Sequence, residues 1–155
     1  MLQRIQTVYL LLVICCFIVL MVAPLYHIQS NDGVYSLTII KTSFIRPTKI
    51  LVLNYNFSLI VSSLLIVIIS VATIFRYKQR TIQLKLINIL FFLVLIFTGL
   101  LFFDYRQLIG LSAIANANSI SVLVIIVPIV MLLLLLARNG IKKDEALVRS
   151  ADRLR

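Results

Sequence analysis

The sequence predicts an all-α membrane protein: a bundle of four transmembrane helices, with a small β-hairpin in its first outer loop and an amphipathic cytoplasmic helix at its C-terminus. Three observations lead there. Four long uncharged apolar stretches account for most of the 155 residues. The composition is 62% hydrophobic and 13% charged, with a mean hydropathy of +1.12, whereas a soluble domain is about one-quarter charged. The basic residues fall mainly on alternate connections between the stretches. A hydrocarbon core about 30 Å thick needs about 20 apolar residues at 1.5 Å each, so four crossings consume roughly 80 residues and leave short connections and one tail. Residues 1–155 therefore read as a single membrane domain.

The first span is expected over about residues 7–23, after Arg4. It exceeds the roughly 7 to 15 apolar residues of a secretory signal and ends at Ala23-Pro24-Leu25-Tyr26 without a small-x-small site, so it is expected to be retained. The second span covers about 56–75, with Asn54 or Asn56 as helix start and Arg76, Tyr77, Lys78 and Arg80 closing it. The third covers about 84–103, from beside Lys85 to a polar stop at Asp104-Tyr105-Arg106. The fourth covers about 119–137, opened by Asn116, Asn118 and Ser119 and closed by Arg138-Asn139-Gly140, with Pro128 inside it as a mild kink. In the outer loop of about 25–55, residues 33–40 are strand formers, Arg46-Pro47-Thr48 makes a turn, and 49–53 form the return strand of a hairpin resting on the helix ends.

Orientation follows from the basic residues. Arg4, Arg76, Lys78, Arg80, Lys85, Arg138, Lys142, Lys143, Arg149, Arg153 and Arg155 fall on one side, and only Lys41, Arg46, Lys49 and Arg106 on the other. Cytoplasmic connections hold the excess, which places both termini and the connection at about 76–83 inside. The net charge of +10 is assigned to this topology and to anionic lipid headgroups, worth about 1 kcal/mol for each basic residue near the surface. Nucleic acid is not an expected partner, because the basic residues flank apolar spans instead of gathering on one folded face with aromatic or polar readers.

Candidate chemistry is sparse. Cys15 and Cys16 are adjacent within the first span, about 100° apart around a helix, so they are read as hydrophobes and not as a disulfide. His27 stands alone, with no Cys, Asp or Glu at ligand spacing, and suits neither a metal nor a haem. No catalytic residue, metal or cofactor is expected, and the chain is read as non-enzymatic. The span centres lack the ionisable residue that an ion-coupled transporter places near mid-membrane. Their polar content is assigned to helix packing by Ser62, Asn88 and Gly99: small residues let helices approach closely, and Asn88 can hydrogen-bond across an interface. The same hydroxyl-bearing faces support the runner-up reading, a small transporter or channel component.

The tail at 138–155 is the most specific segment. Leu147, Val148, Ala151 and Leu154 recur at spacings of three and four, giving a narrow apolar face, with Asp144 and Glu145 toward the helix start and Arg149, Arg153 and Arg155 toward its end. Glu145 and Arg149 also stand in the favourable i, i+4 order. Leu147, Val148, Arg149, Ala151, Arg153, Leu154 and Arg155 are the expected contacts with a cytoplasmic or membrane partner, a second copy of the chain, or the lipid surface.

The opening Met1-Leu2-Gln3-Arg4-Ile5-Gln6-Thr7-Val8-Tyr9-Leu10-Leu11-Leu12 and the closing Ala137-Arg138-Asn139-Gly140-Ile141-Lys142-Lys143-Asp144-Glu145-Ala146-Leu147-Val148-Arg149-Ser150-Ala151-Asp152-Arg153-Leu154-Arg155 resemble the bacterial four-span membrane proteins grouped as domain of unknown function 4293. The resemblance implies a bacterial inner-membrane protein and carries no catalytic residue. Claudin-like four-span proteins compare less well: their first outer loop has a tryptophan motif and a cysteine pair, and this chain has no Trp and no Cys there.

Overall fold

The computed structural model of the chain describes residues 5–30, 33–45, 50–77, 79–111, 115–120 and 122–153. Arg4, Lys78, the Arg46-Pro47-Thr48 turn, Leu154 and Arg155 lie outside the described residues.

Among the described residues, each of four α-helices buries one main stripe. In α1 (Ile5–Val22) the stripe is Gln6, Leu10, Val13, Phe17 and Leu20. In α2 (Phe57–Phe75) it is Leu59, Ser63, Ile66, Ser70 and Thr73, with Ser62 buried beside it. In α3 (Arg80–Leu111) it is Gln83, Ile87, Leu90, Val94, Phe97 and Leu101, and in α4 (Ile126–Arg153) Val127, Val130, Leu134, Ala137 and Ile141. Every stripe alternates spacings of three and four, the 3.5-residue period of a left-handed helix seam. Helix α1 packs against α2 and α4, and α3 packs against the same two. Phe17 and Phe97 meet edge-to-face across the centre, with centroids 5.3 Å apart.

Most of the remaining helix surface is apolar and faces outward. Helices α2 and α3 are long and apolar enough to cross a membrane, and only 33% and 28% of their apolar windows are buried within the chain. A helix that is apolar all round and buried on one stripe alone presents a surface that hydrocarbon accepts and water does not. The apolar run of α1, Gln6–Val22, is shorter.

The expected all-α bundle of four transmembrane helices is therefore corrected on two counts. Among the described residues only two helices have membrane-crossing length and composition, and a five-stranded antiparallel sheet accompanies the helices. Its strands are β1 (Tyr26–Ser30), β2 (Gly33–Leu37), β3 (Lys41–Ile45), β4 (Ile50–Tyr55) and β5 (Ala115–Ile120), in the order β4-β3-β2-β1-β5. The single strand expected over 33–40 is split by a turn. The Thr38 hydroxyl accepts from the Lys41 amide at 3.0 Å and donates to the Lys41 carbonyl at 2.8 Å, which folds β3 back on β2. Asn116, Asn118 and Ser119, expected to open the fourth span, instead lie on β5, which pairs with β1.

Helix α4 consequently begins only at Ile126, after a 3-10 turn at Val122–Ile125. Pro128 thus falls in the first turn, where its missing N–H has no intrahelical acceptor to lose, and not within a span as a kink. Helix α4 also continues through Arg138-Asn139-Gly140 to Arg153, so the tail is not a separate element. The Gly140 penalty of about 1 kcal/mol is offset by the burial of Ile141. Helix α3 likewise runs past the expected stop at Asp104-Tyr105-Arg106, where the Arg106 guanidinium lies 5.7 Å from the Phe102 ring centroid.

The sheet is seated on one end of the helices. Leu25, Leu37 and Ile39 are fully buried beneath it, and Tyr26 of β1 stacks on Tyr105 of α3 at 4.5 Å. Asn56 precedes α2, but its side chain does not cap the helix. It donates to the Thr38 carbonyl at 3.0 Å and accepts from the Thr42 hydroxyl at 3.2 Å, latching the β2–β3 turn to the start of α2.

Candidate functional site

Opposite the sheet, the first turn of α1, the α2–α3 turn and the second half of α4 come together as a polar end. Gln6 Nε2 donates to Asp144 Oδ2 at 2.6 Å, joining the start of α1 to α4 across most of the sequence. Arg80 Nη1 donates to the Asp144 carbonyl at 2.7 Å, which ties α3 to the same turn. Gln83 Nε2 donates to the Thr73 carbonyl at 2.9 Å and closes the α2–α3 turn. Gln6 and Gln83 are almost wholly buried, and among the described residues neither Oε1 has a hydrogen-bond donor. A buried amide oxygen without a donor costs about 1–3 kcal/mol. These are fixing contacts, made where the apolar seams run out.

Beside the polar end, α3 and α4 border a cavity of about 210 Å³. Ile87, Phe91 and Phe92 of α3 and Leu134 and Leu135 of α4 form its apolar lining, while Asn88 and Arg138 are its polar members. Arg138 is half-buried and makes no hydrogen bond or ion pair with another described residue. Lys85 lies one turn before Asn88 on α3, and Lys142 one turn after Arg138 on α4; both are exposed. Spacings of three and four put each lysine on the same helix face as its polar neighbour in the groove. A phosphate or carboxylate beside an apolar chain is the chemistry that this arrangement accepts.

The residues expected to pack helices fare differently from one another. Ser62 is buried, and its hydroxyl bonds its own helix at the Ser58 carbonyl (2.8 Å) and the Leu59 carbonyl (3.1 Å). Asn88 is exposed at the groove. Gly99 is also exposed, and a Cβ built on it meets nothing within 4 Å, so no helix approaches it closely. Both miss the interface for one reason: in the 3.5-residue stripe of α3 the inward residues are Ile87, Leu90, Val94, Phe97 and Leu101. In the tail, Leu147, Val148, Arg149, Ala151 and Arg153 belong to α4 by their backbone, and their side chains lie outside the described residues. Gln6, Gln83 and Asp144 were not singled out as fixing contacts. Extending the stripes of α1 and α3 backward by four residues reaches both glutamines, and that was the available signal.

At the sheet end, His27 on β1 is half-buried. Burial, and then the neighbouring Tyr105, push the Tyr26 phenol above its ordinary range.

These features define a class: a mixed helix-and-sheet protein that has, among the described residues, two helices of membrane-crossing length and an apolar, cation-edged groove between α3 and α4. The chain belongs to the family described as Domain of unknown function (DUF4293), whose model matches residues 2–154. No curated protein and no solved structure matches it.

Proposed function

We propose that this chain is a non-enzymatic, multi-pass protein of the bacterial inner membrane, with both termini cytoplasmic, that engages the anionic inner leaflet through its polar end. The observation that carries the reading is the sorting of charge between the two ends. Arg76, Arg80, Lys85, Arg138, Lys142 and Lys143 belong to the polar end, against Lys41 and Arg106 toward the sheet. Basic residues accumulate on the cytoplasmic side of membrane proteins, and each contributes about 1 kcal/mol to attraction by anionic headgroups. The unbroken course of α4 supports the same reading, since it carries the basic segment out of the apolar half on one rigid helix.

A small transporter or channel component would need polar side chains free to line a path. The hydroxyls of Ser62, Ser63, Ser70, Thr73 and Thr98 instead bond carbonyls of their own helices, so no observation favours that alternative.

The test has two parts. A reporter active only outside the cytoplasm should work in the β3–β4 connection and fail when fused after Arg155; the reverse pattern overturns the orientation. In vesicles of phosphatidylcholine with phosphatidylglycerol, the tail should resist protease, and high salt or replacement of Arg149, Arg153 and Arg155 by Gln should expose it. Protection that ignores both, together with one stoichiometric cytoplasmic protein crosslinked to the tail in cells, would replace the leaflet with a protein partner.

A further inference from the structure

We propose that the α3–α4 groove is a binding site for one anionic phospholipid, with an acyl-chain segment against Phe92 and Leu135 and the headgroup phosphate on Arg138 and Asn88. The inference rests on the leaflet reading for which side of the bilayer supplies the lipid.

Four observations converge on this occupant. First, Arg138 is half-buried with no anionic or carbonyl partner among the described residues, and a cation drawn toward an apolar surface needs a counter-charge. Second, the groove walls are apolar on both helices, while the polar atoms gather toward the end where α3 begins and α4 leaves its apolar half. That polarity matches a lipid, with its headgroup toward the membrane boundary and its tail toward the interior. Third, at about 210 Å³ the space is below the roughly 300–1,000 Å³ of a pocket that engulfs a small molecule. It suits one chain segment, and the rest of the lipid stays in the bilayer.

Fourth, the groove opens on the outward surface of α3, a helix of membrane-crossing length, where Phe92 is 68% exposed. Its occupant arrives laterally from hydrocarbon. A water-soluble phosphate would face apolar walls and gain nothing from them. Lys85 and Lys142, on the same faces as Asn88 and Arg138, add positive charge at the mouth, with Glu145 a turn beyond Lys142 on the same face of α4.

The experiment uses the full chain in phosphatidylcholine vesicles carrying a small share of spin-labelled phosphatidylglycerol, with spin-labelled phosphatidylcholine as the reference. The wild type should immobilise the anionic lipid in preference to the neutral one. Arg138→Gln should lower that preference about five-fold, and Arg138→Lys should retain most of it. Leu135→Trp should fill the groove and remove the immobilised component for both lipids. Helix content and thermal midpoint identify variants that keep the fold.

Removing residues 147–155 should leave the groove signal intact, whereas replacing Arg149, Arg153 and Arg155 by Gln should expose the tail without altering that signal, which separates the two proposals. If that truncation removes the anionic preference and Arg138→Gln does not, the groove inference falls and the leaflet reading stands. A folded Leu135→Trp protein that immobilises phosphatidylglycerol as fully as wild type also overturns the inference.

Discussion

Asp144→Ala tests whether the polar end fixes the helices or merely decorates them. The substitution strips the acceptor from Gln6 Nε2, and Gln6 is 6% exposed with no donor to its Oε1 among the described residues. A hydrogen bond to a charged group is worth about 1.5–3 kcal/mol, and burial leaves the amide little else to bond. Alanine is the better helix former by about 0.5 kcal/mol, which leaves a net loss of about 1–2.5 kcal/mol. In a chain of this size that corresponds to a fall of about 2–10 °C in Tm. Gln6→Leu removes the same bond but also the whole buried amide, including its orphaned oxygen, so its net effect should stay within about 1 kcal/mol of zero. The double variant should then resemble Gln6→Leu alone, a coupling that thermal unfolding of the four proteins in detergent measures as a double-mutant cycle. Additive losses, or a Gln6→Leu variant as weak as Asp144→Ala, would refute the reasoning.

Other perturbations read other parts of the structure. Asn56→Ala removes the bonds to Thr38 and Thr42 and should cost about 1–3 kcal/mol, with hydrogen exchange accelerating in the β2–β3 turn before the helices; uniform acceleration would argue against a local latch. Gly33→Ala should weaken the sheet, because a Cβ there meets the Ile45 carbonyl oxygen at 2.5 Å and the residue holds φ at +156°; wild-type strand content and Tm would show that the β2–β3 pair yields easily. Asn88→Leu should leave Tm unchanged, since the side chain is exposed at the groove, and a loss of several degrees would restore it to an interface. For Tyr26, the folded phenol holds its proton more tightly than the unfolded one, whose ordinary value is 10.0. Stability is therefore unaffected below about pH 10 and declines as pH rises through and beyond it. Tyr26→Phe keeps the ring against Tyr105 and should remove that component from a pH series of thermal midpoints; an unchanged alkaline loss would assign it elsewhere.

What the sequence made legible follows from the kind of signal each element carries. Helices α1 and α2 lie within a residue or two of expectation, because long apolar runs bounded by polar residues announce themselves. The sheet was largely hidden: Tyr26–Ser30 and Ala115–Ile120 mix polar and apolar residues over five or six positions, and their alternation acquires meaning only through partners distant in sequence. Within the apolar helices the inward direction was misjudged at Asn88 and Gly99, since a helix that is apolar all round gives no azimuth by composition. Phase was recoverable only from the 3.5-residue stripe, which Gln83 and Ile87 start and which both of those residues miss. Asp144 lies in a segment that reads as an amphipathic cytoplasmic tail, and no local pattern shows that its acceptor faces a glutamine near the other terminus.

The placement of polar residues on the seams has its own logic. An apolar seam repeating every 3.5 residues fits its neighbours almost as well after a slip of one heptad, about 10 Å along the axis, because Leu, Val and Phe accept one another's positions. On α1 and α3 the buried stripe carries a glutamine at the polar end and apolar residues beyond it. A heptad slip of α1 along α4 would carry Gln6 away from Asp144, and the buried amide would then lack its acceptor, at a cost of about 1–3 kcal/mol. Helices α2 and α3 are held in register by the short connection between Phe75 and Arg80, and Gln83 on the Thr73 carbonyl adds to that hold. Seam packing makes the helices adhere, and the Gln6–Asp144 bond favours the one register of α1 against α4 in which both partners are satisfied.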